Sequence, residues 1–314
     1  MVKKHRESQE SYKGNGFLLG FIARLARFII FMFILSFMNV KYFILKLKSK
    51  NNAIIKNVQG SKMYLNLKDK GISKDLAMDG IREPESTKEI KRIVKPGSTI
   101  VEVGANIGYY ALIESRLAGK RGKIYAVEPS PNNVNCLKKN IKLNNYENIE
   151  VYQMAIGDKK RIEKINISSH SNWNSLIAHK NIGIIKTMDV NLITLDEFLK
   201  NKKYPDFIRM DVEGYEYNVI KGMKNILKSK KPLKLFIELH PHIIKKEQTQ
   251  YVLKTLRRYG FETRKVIRSL TVPEVKVMSR EEFDFSSKTI NDLLKDDSII
   301  SGKKGAFEIF FERK

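Results

Sequence analysis

The chain has 314 residues, 42% of them hydrophobic and 10% aromatic, enough for a large α/β domain with an appendage and too apolar for a disordered polyelectrolyte. Lys+Arg 59 against Asp+Glu 34 leaves a formal net charge of +25, which predicts attraction to an anionic partner such as nucleic acid, acidic lipid or acidic glycan, or simply a lysine-rich solvated surface. A single cysteine, Cys136, excludes an internal disulfide and a cysteine-based zinc cluster; in a predicted helix it is expected to pack as a small apolar group.

Residues 1–13 are polar and basic, as expected of a mobile tail. From 16 to 40 the only charges are Arg24 and Arg27, and residues 28–38 form an almost unbroken apolar run, followed by a second at 42–45 between Lys41 and Lys46. A spanning helix needs about 20 apolar residues; the uncharged core is shorter, with two arginines able to snorkel, so the segment either crosses a bilayer or lies in its interface. Lys and Arg on both sides give no orientation, and no small-x-small site marks a cleaved signal peptide. The expected division is therefore a basic tail and membrane-associating segment over 1–50, a small cap with alternating strands such as 62–68 over 51–83, and the main domain over 84–314.

The main domain opens with a helix over 84–94, proline and acid in its first turn, ended by Pro96-Gly97. Strand 99–103, helix 107–117, strand 123–127, helix 132–143 and strand 149–153 then alternate. This rhythm predicts right-handed β-α-β crossovers and a doubly wound parallel sheet with helices on both faces. After Gly157-Asp158 the pattern loosens into a strand over 162–167 and a polar loop over 168–175. That loop carries the only tryptophan, Trp173, which would suit a sugar or adenine face, although an isolated tryptophan more often merely packs. Strands 189–193, 206–210, 233–239, 262–267 and 306–311 follow, with helices 195–199, 217–227 and 245–259 between them and a charged insertion holding a short helix near 290–294.

The most informative stretch is residues 101–110, an apolar strand ending in a glycine-bearing turn that opens directly into a helix. Gly104 and Gly108 allow a sharp turn and close approach of a ligand to the main chain. About 20 residues later strand 123–127 delivers Glu128, placed to accept hydrogen bonds from both ribose hydroxyls of a nucleoside. A dinucleotide fingerprint requires a glycine where Asn106 stands. The ionisable neighbours Glu102, Glu128, Asp158 and Asp211 are all acidic; carboxylates repel a pyrophosphate and attract the sulfonium and ammonium of S-adenosyl-L-methionine. That donor is therefore the expected cofactor.

The order of motifs resembles the FkbM-type family of S-adenosylmethionine-dependent methyltransferases over roughly residues 84–314. Residues 101–110 look like the family's glycine loop, with Glu102, Gly104, Ala105, Asn106, Gly108 and Tyr109 as donor-binding positions. The strand end Glu128-Pro129-Ser130 looks like its ribose site, and Ile156-Gly157-Asp158 its turn beside the adenine. Most specific are residues 193–198 followed by 208–216, with Asp211-Val212-Glu213-Gly214-Tyr215-Glu216 at a strand end. The resemblance implies a Rossmann-like, seven-stranded sheet whose last strand is antiparallel. Arg209 stands where the family more usually has lysine.

Methyl transfer to a hydroxyl needs positioning and loss of a proton. Asp211 is the first candidate for both tasks, followed by Glu213 and Glu216, the last equally suited to capping the next helix. His240, ending strand 233–239 at the same sheet edge, is the candidate general base, although such histidines are more often structural. A divalent cation between Asp211 and Glu238 is conceivable, but two carboxylates are too few and no metal is assigned. The expected reaction is O-methylation of a sugar hydroxyl on a glycan or glycolipid, at the cytoplasmic face of a membrane held through residues 16–47. Ribose methylation of RNA and a non-catalytic, membrane-tethered adenosyl-binding module are the alternatives. The former is motivated by net charge; base N-methylation is disfavoured because Asp211-Val212-Glu213-Gly214 replaces the Asn/Asp-Pro-Pro-aromatic strand end.

Overall fold

In the computed structural model, residues 2–177 and 183–314 are described, with side chains from Ile22 onward except Ala23. A long helix, α1 (Val2–Lys48), leads into the hairpin β1 (Ala53–Val58) and β2 (Ser61–Asn66), then α2 (Ile72–Asp79) and α3 (Pro84–Ile93). Next come β3 (Thr99–Val103), α4 (Tyr109–Ala118), β4 (Lys123–Val127), α5 (Pro131–Leu143) and β5 (Ile149–Tyr152). The side arm is β6 (Ala155–Gly157), β7 (Arg161–Ser168) and β8 (Ile184–Thr194), followed by α6 (Leu195–Leu199), β9 (Phe207–Met210), α7 (Glu216–Lys221) and α8 (Lys224–Lys228). The chain closes with β10 (Leu233–Leu239), α9 (Lys246–Arg258), β11 (Glu262–Arg268), α10 (Val272–Val277), α11 (Ile290–Lys295), α12 (Asp297–Ile300) and β12 (Phe307–Arg313).

Seven strands form one sheet in the order β11-β12-β10-β9-β3-β4-β5. Strand β12 runs antiparallel to both neighbours, and the pairs from β10 through β5 are parallel. The sheet is thus Rossmann-like with an antiparallel last strand, as the family resemblance implies. Apolar side chains leave it on both faces: Val101, Val103, Ile208, Met210 and Ile237 into one core, Ile100, Ile124, Phe207, Phe236 and Phe310 into the other. Such two-sided burial is what covers a parallel sheet.

Strands 162–167 and 189–193 stand outside the main sheet and build a separate three-stranded sheet, β6-β8-β7. Their burial explains why: Ile165, Ile167, Val190 and Leu192 are buried while Ile162 and Ile184 are exposed, the one-sided pattern of an arm rather than of a central strand. The helix expected over 217–227 is broken at Gly222, where the backbone passes so close to Gly157 that an added Cβ would lie 1.9 Å from its carbonyl oxygen.

Helix α1 includes the basic residues expected as a tail, and its segment Arg24–Lys48 is long and apolar enough to cross a membrane. It is also tied to the domain. Arg27 pairs with Glu282 at 3.0 Å, Lys74 donates to Asn39 at 3.3 Å, and the Tyr42 hydroxyl donates to the Leu67 carbonyl at 2.6 Å. Cys136 is half-buried as expected, its Sγ 3.6 Å from the Tyr64 carbonyl oxygen, and burial pushes its thiol up to about 11.

Candidate functional site

The cleft begins where β3 ends. Gly104 has φ +88°, and a Cβ there would stand 1.8 Å from the Asp211 carbonyl oxygen, so only glycine lets the ends of β3 and β9 meet this closely. Asn106 also takes a left-handed conformation, φ +50°, which turns its N–H onto Glu128 Oε2 at 2.8 Å. The other Glu128 oxygen accepts from Ser130 N at 2.9 Å and Asn133 Nδ2 at 3.2 Å. Three of a carboxylate's roughly four acceptor positions are thus taken, leaving room for an outside donor. Burial pushes Glu128 up to about 7 against the pull of those N–H groups.

From this turn a cleft of about 560 Å³, its open mouth included, runs between the strand ends and the side arm. Met154, Ile156, Ile165 and Leu176 give it an apolar wall suited to a flat base, and Asp211 and Glu213 stand at its acidic end. Of the residues expected to bind the donor, Gly104, Asn106, Glu128, Pro129, Ile156 and Asp211 line it. Ala105, Gly108, Tyr109, Ser130 and Gly157 stand outside the lining. Ala105 N bonds the Val127 carbonyl at 3.0 Å, a Cβ on Gly108 would meet Leu137 at 2.4 Å, and the Tyr109 hydroxyl is shared with Thr87. Ser130 opens α5, and Gly157 packs under Gly222. Trp173 is absent from the lining and stacks on His170, ring centroids 4.0 Å apart. Asp158 pairs with Arg161 at 2.8 Å.

Glu102 turns away, onto the opposite face of β3. There the parallel register sets it beside Arg209 on β9, and the antiparallel register sets Glu238 on β10 beside Glu308 on β12. Arg209 is fully enclosed, with its guanidinium 4.0 Å from the Tyr110 ring centre and paired to Glu102, Asp211 and Glu83 at 3.4, 3.3 and 3.8 Å. Burial would lower its pKa, but Glu102 and Asp211 raise it, so it remains a fixed cation balancing this row of acids.

At the mouth of the same strands lies His240. Its Nδ1 is 2.8 Å from Glu216 Oε1, and its Nε2 is 3.5 Å from Glu213 and 3.8 Å from Glu238. Burial alone would lower the His240 pKa; Glu216 and Glu213 outweigh it and raise it well above the ordinary histidine value. The imidazole is therefore held as a cation, which changes its reading from a free general base to a charged partner of Glu213. Burial pushes Glu213 itself up to about 8, with His240 opposing, and raises Glu238 well above the ordinary carboxyl value, reinforced by Asp211. Glu216 is fully buried outside the cleft lining and makes no side-chain cap on α7; it accepts the Gly214 N–H at 2.9 Å and bonds His240 instead. Atoms of Asp211, Glu213 and His240 able to hold a metal lie within 4.8 Å of one another, but in this arrangement both imidazole nitrogens face carboxylates.

Sequence reasoning missed Asn133, Arg82 and Glu83. Asn133 follows Glu128 by five residues on the first turn of α5; Arg82 and Glu83 form a charged pair between Gly80 and Pro84, the only local hint that Glu83 is buried and Arg82 half-buried.

The sheet order, the glycine turn and a ribose-type carboxylate at the next strand define a Rossmann-like nucleoside-donor enzyme fold. Asp211 Oδ1, buried without a hydrogen-bond partner, and the excess of acid about it suit a cationic donor rather than a pyrophosphate. The methyltransferase FkbM domain matches residues 102–263, more than half of the chain, and the protein belongs to that family. Its cofactor is S-adenosyl-L-methionine. A protein-L-isoaspartate O-methyltransferase from Methanococcoides burtonii is 38% identical over 58 residues, 18% of this chain and 29% of that protein. The chain spans less than a third of the length of the curated relatives it matches. Among solved structures, a SAM-dependent methyltransferase from Aquifex aeolicus is similar at 15% identity and TM-score 0.38, covering 74% of this chain and 90% of that one. Aeropyrum pernix fibrillarin with S-adenosyl-L-methionine is similar at 16% identity and TM-score 0.40, covering 73% and 74%.

Proposed function

We propose that the protein transfers a methyl group to the oxygen of an uncharged hydroxyl, on a sugar of a glycan or glycolipid at the cytoplasmic face of a membrane. The observation that carries this reading is the carboxylate-rich end of the cleft, where Asp211 and Glu213 line the wall with Glu216 and Glu238 close behind. S-adenosyl-L-methionine supplies an electrophilic methyl on a cationic sulfur, which such an end favours. A hydroxyl acceptor donates to Asp211 and gives its proton to Glu213, whose raised pKa of about 8 is matched to base catalysis near neutral pH. His240, held by Glu216, orients Glu213 and balances its charge.

The same charges argue against a carboxylate acceptor of the kind named for the isoaspartate relatives, since like charges would meet at the transfer point. Ribose methylation of RNA remains the second reading, favoured by the net charge of +25. Tritiated methyl transfer into total cell extract, fractionated into lipid, polysaccharide, RNA and protein, tests both. Label in lipid or polysaccharide supports the glycan reading; label in RNA alone rejects it.

A further inference from the structure

Helix α1 divides its apolar residues between two opposite faces. Phe31, Ile34, Leu35, Met38, Tyr42 and Leu45 recur at helical spacing and are half-buried. Tyr42 and Leu45 pack against the core that holds Ile100 and Phe236, and Leu35 and Met38 line a second cavity, about 880 Å³ with its open mouth, opposite Val272 and Pro273 of α10. Ile29, Phe33, Phe37, Val40, Ile44 and Leu47 recur on the other face, each at least 45% exposed. From Ile29 to Leu47 this outward stripe runs about 27 Å along the axis, a continuous apolar surface of the kind that marks an interaction site. A helix apolar all round is normally enclosed on every side; here the domain covers one side only.

Polar ties fasten the covered side. Arg27 pairs with Glu282, Lys74 donates to Asn39, and Tyr42 donates to the Leu67 carbonyl; Lys74 also lies 5.4 Å from the centre of the Tyr42 ring. Between Arg27 and Tyr42 the ties run about 22 Å along the axis. Were α1 to stand across a bilayer with these ties intact, Lys74 would lie beside Asn39, near the middle of the apolar segment Arg24–Lys48. That is deep in hydrocarbon, where a charged side chain is strongly disfavoured. Lying flat, the helix keeps Lys74 and Glu282 on the domain side and turns the outward stripe into the lipid.

Charge selects the surface on which it lies. No acidic residue occurs between Glu10 and Asp69, and Lys41, Lys46, Lys48 and Lys50, near the carboxyl end of α1, are exposed. Two copies of α1 meeting stripe to stripe would bring these bases together, whereas anionic headgroups complement them.

We infer that α1 is a one-leaflet anchor: it lies in the plane of an anionic membrane surface with its outward stripe in the lipid, and it does not cross the bilayer. The inference rests on the membrane part of the reading above and on none of its chemistry, so its failure is separate from that of methyl transfer, which the extract assay alone decides.

The test places a nitroxide on the full chain through Ile29→Cys, Phe37→Cys or Leu47→Cys, each in a Cys136→Ser background, bound to vesicles of phosphatidylglycerol and phosphatidylcholine. Depth is read from relaxation by oxygen against a water-soluble nickel chelate, and adenosylhomocysteine affinity within twofold of the unlabelled chain certifies the fold. Flat binding puts all three labels at one depth, within about 5 Å. A spanning helix puts Phe37 near the midplane and Leu47 about 15 Å closer to the headgroups, which overturns the inference and leaves membrane attachment in place. Labels that stay in water overturn both. Binding to the anionic vesicles is expected to be at least tenfold tighter than to phosphatidylcholine alone; equal binding overturns the inference, and so does dipolar broadening between labels on different copies, which marks a second chain on the stripe.

Discussion

Nδ1 of His240 lies 2.8 Å from Oε1 of Glu216, a fully buried carboxylate at the start of α7, so the residue just after β10 is oriented and charged by the turn after β9. Glu216→Gln keeps an oxygen beside the ring but removes the charge that holds the proton. The His240 pKa should fall toward its ordinary range, and kcat should drop about a hundredfold. Adenosylhomocysteine affinity should change less than twofold. A pH–rate profile with calorimetry checks this; an unchanged profile would show that Glu216 serves only the helix end.

Glu128 links donor binding to pH. With its pKa pushed up to about 7, it is mostly protonated at pH 6, and accepting ribose hydroxyls favours the charged form. Donor affinity should therefore rise between pH 6 and 8 with release of a proton, measurable as buffer-dependent heat. Glu128→Gln should flatten that slope and weaken binding roughly tenfold or more, the order expected for charge-assisted hydrogen bonds.

Gly104 and Gly119 separate strain from collision. Both have positive φ, +88° and +65°, but an added Cβ meets the Asp211 carbonyl at 1.8 Å in the first and nothing within 4 Å in the second. Gly119→Ala should cost about 1–3 kcal/mol and Gly104→Ala well above roughly 3 kcal/mol, or soluble protein altogether. Urea midpoints decide; similar costs at the two positions would contradict the close approach of β3 and β9.

Glu114 is buried on α4 beside Glu102, and burial followed by that like charge raises its pKa well above the ordinary carboxyl value. In the unfolded chain it ionises near the ordinary value, while in the folded chain it stays protonated. Its contribution is thus intact at low pH and is lost as pH rises from about 4.3 toward the folded pKa. Glu114→Gln should stabilise the fold at pH 8 by roughly 1–3 kcal/mol and hardly at all at pH 4. Thermal unfolding at the two pH values is the measurement.

Phe33 and Phe37 are 72% and 63% exposed, so replacing both with Asp should leave thermal stability within about 0.5 kcal/mol. The same change should abolish co-sedimentation with phosphatidylglycerol-containing vesicles. Retained sedimentation would assign membrane attraction to the basic surface alone.

Much of this was readable residue by residue. The alternation of β3, α4, β4, α5 and β5 was visible because apolar strands buried on both faces and helices with capped ends leave local signatures. The glycine turn and Glu128 were visible for the same reason, since both ends of that contact lie within one β-α-β unit. The strands of the β6-β8-β7 arm were visible but not the separate sheet they form, because a strand's partner is not written in its own residues. Arg82 and Glu83 escaped because the groups they bond, Tyr109 and Tyr110 on α4 and Arg209 on β9, lie far along the chain.

Sequence alone determined that the chain winds an α/β sheet around a nucleoside-donor turn and carries an apolar, basic-flanked N-terminal segment, because hydrophobic period, glycine and strand-end acids act over a few neighbours. Only tertiary structure decided that His240 is a cation among carboxylates, that Arg209 anchors a buried row of acids, and that α1 lies along the domain beside a second cavity. Those outcomes depend on which charges share one enclosed space, and in a medium of low polarity that proximity, rather than residue identity, sets protonation and pairing.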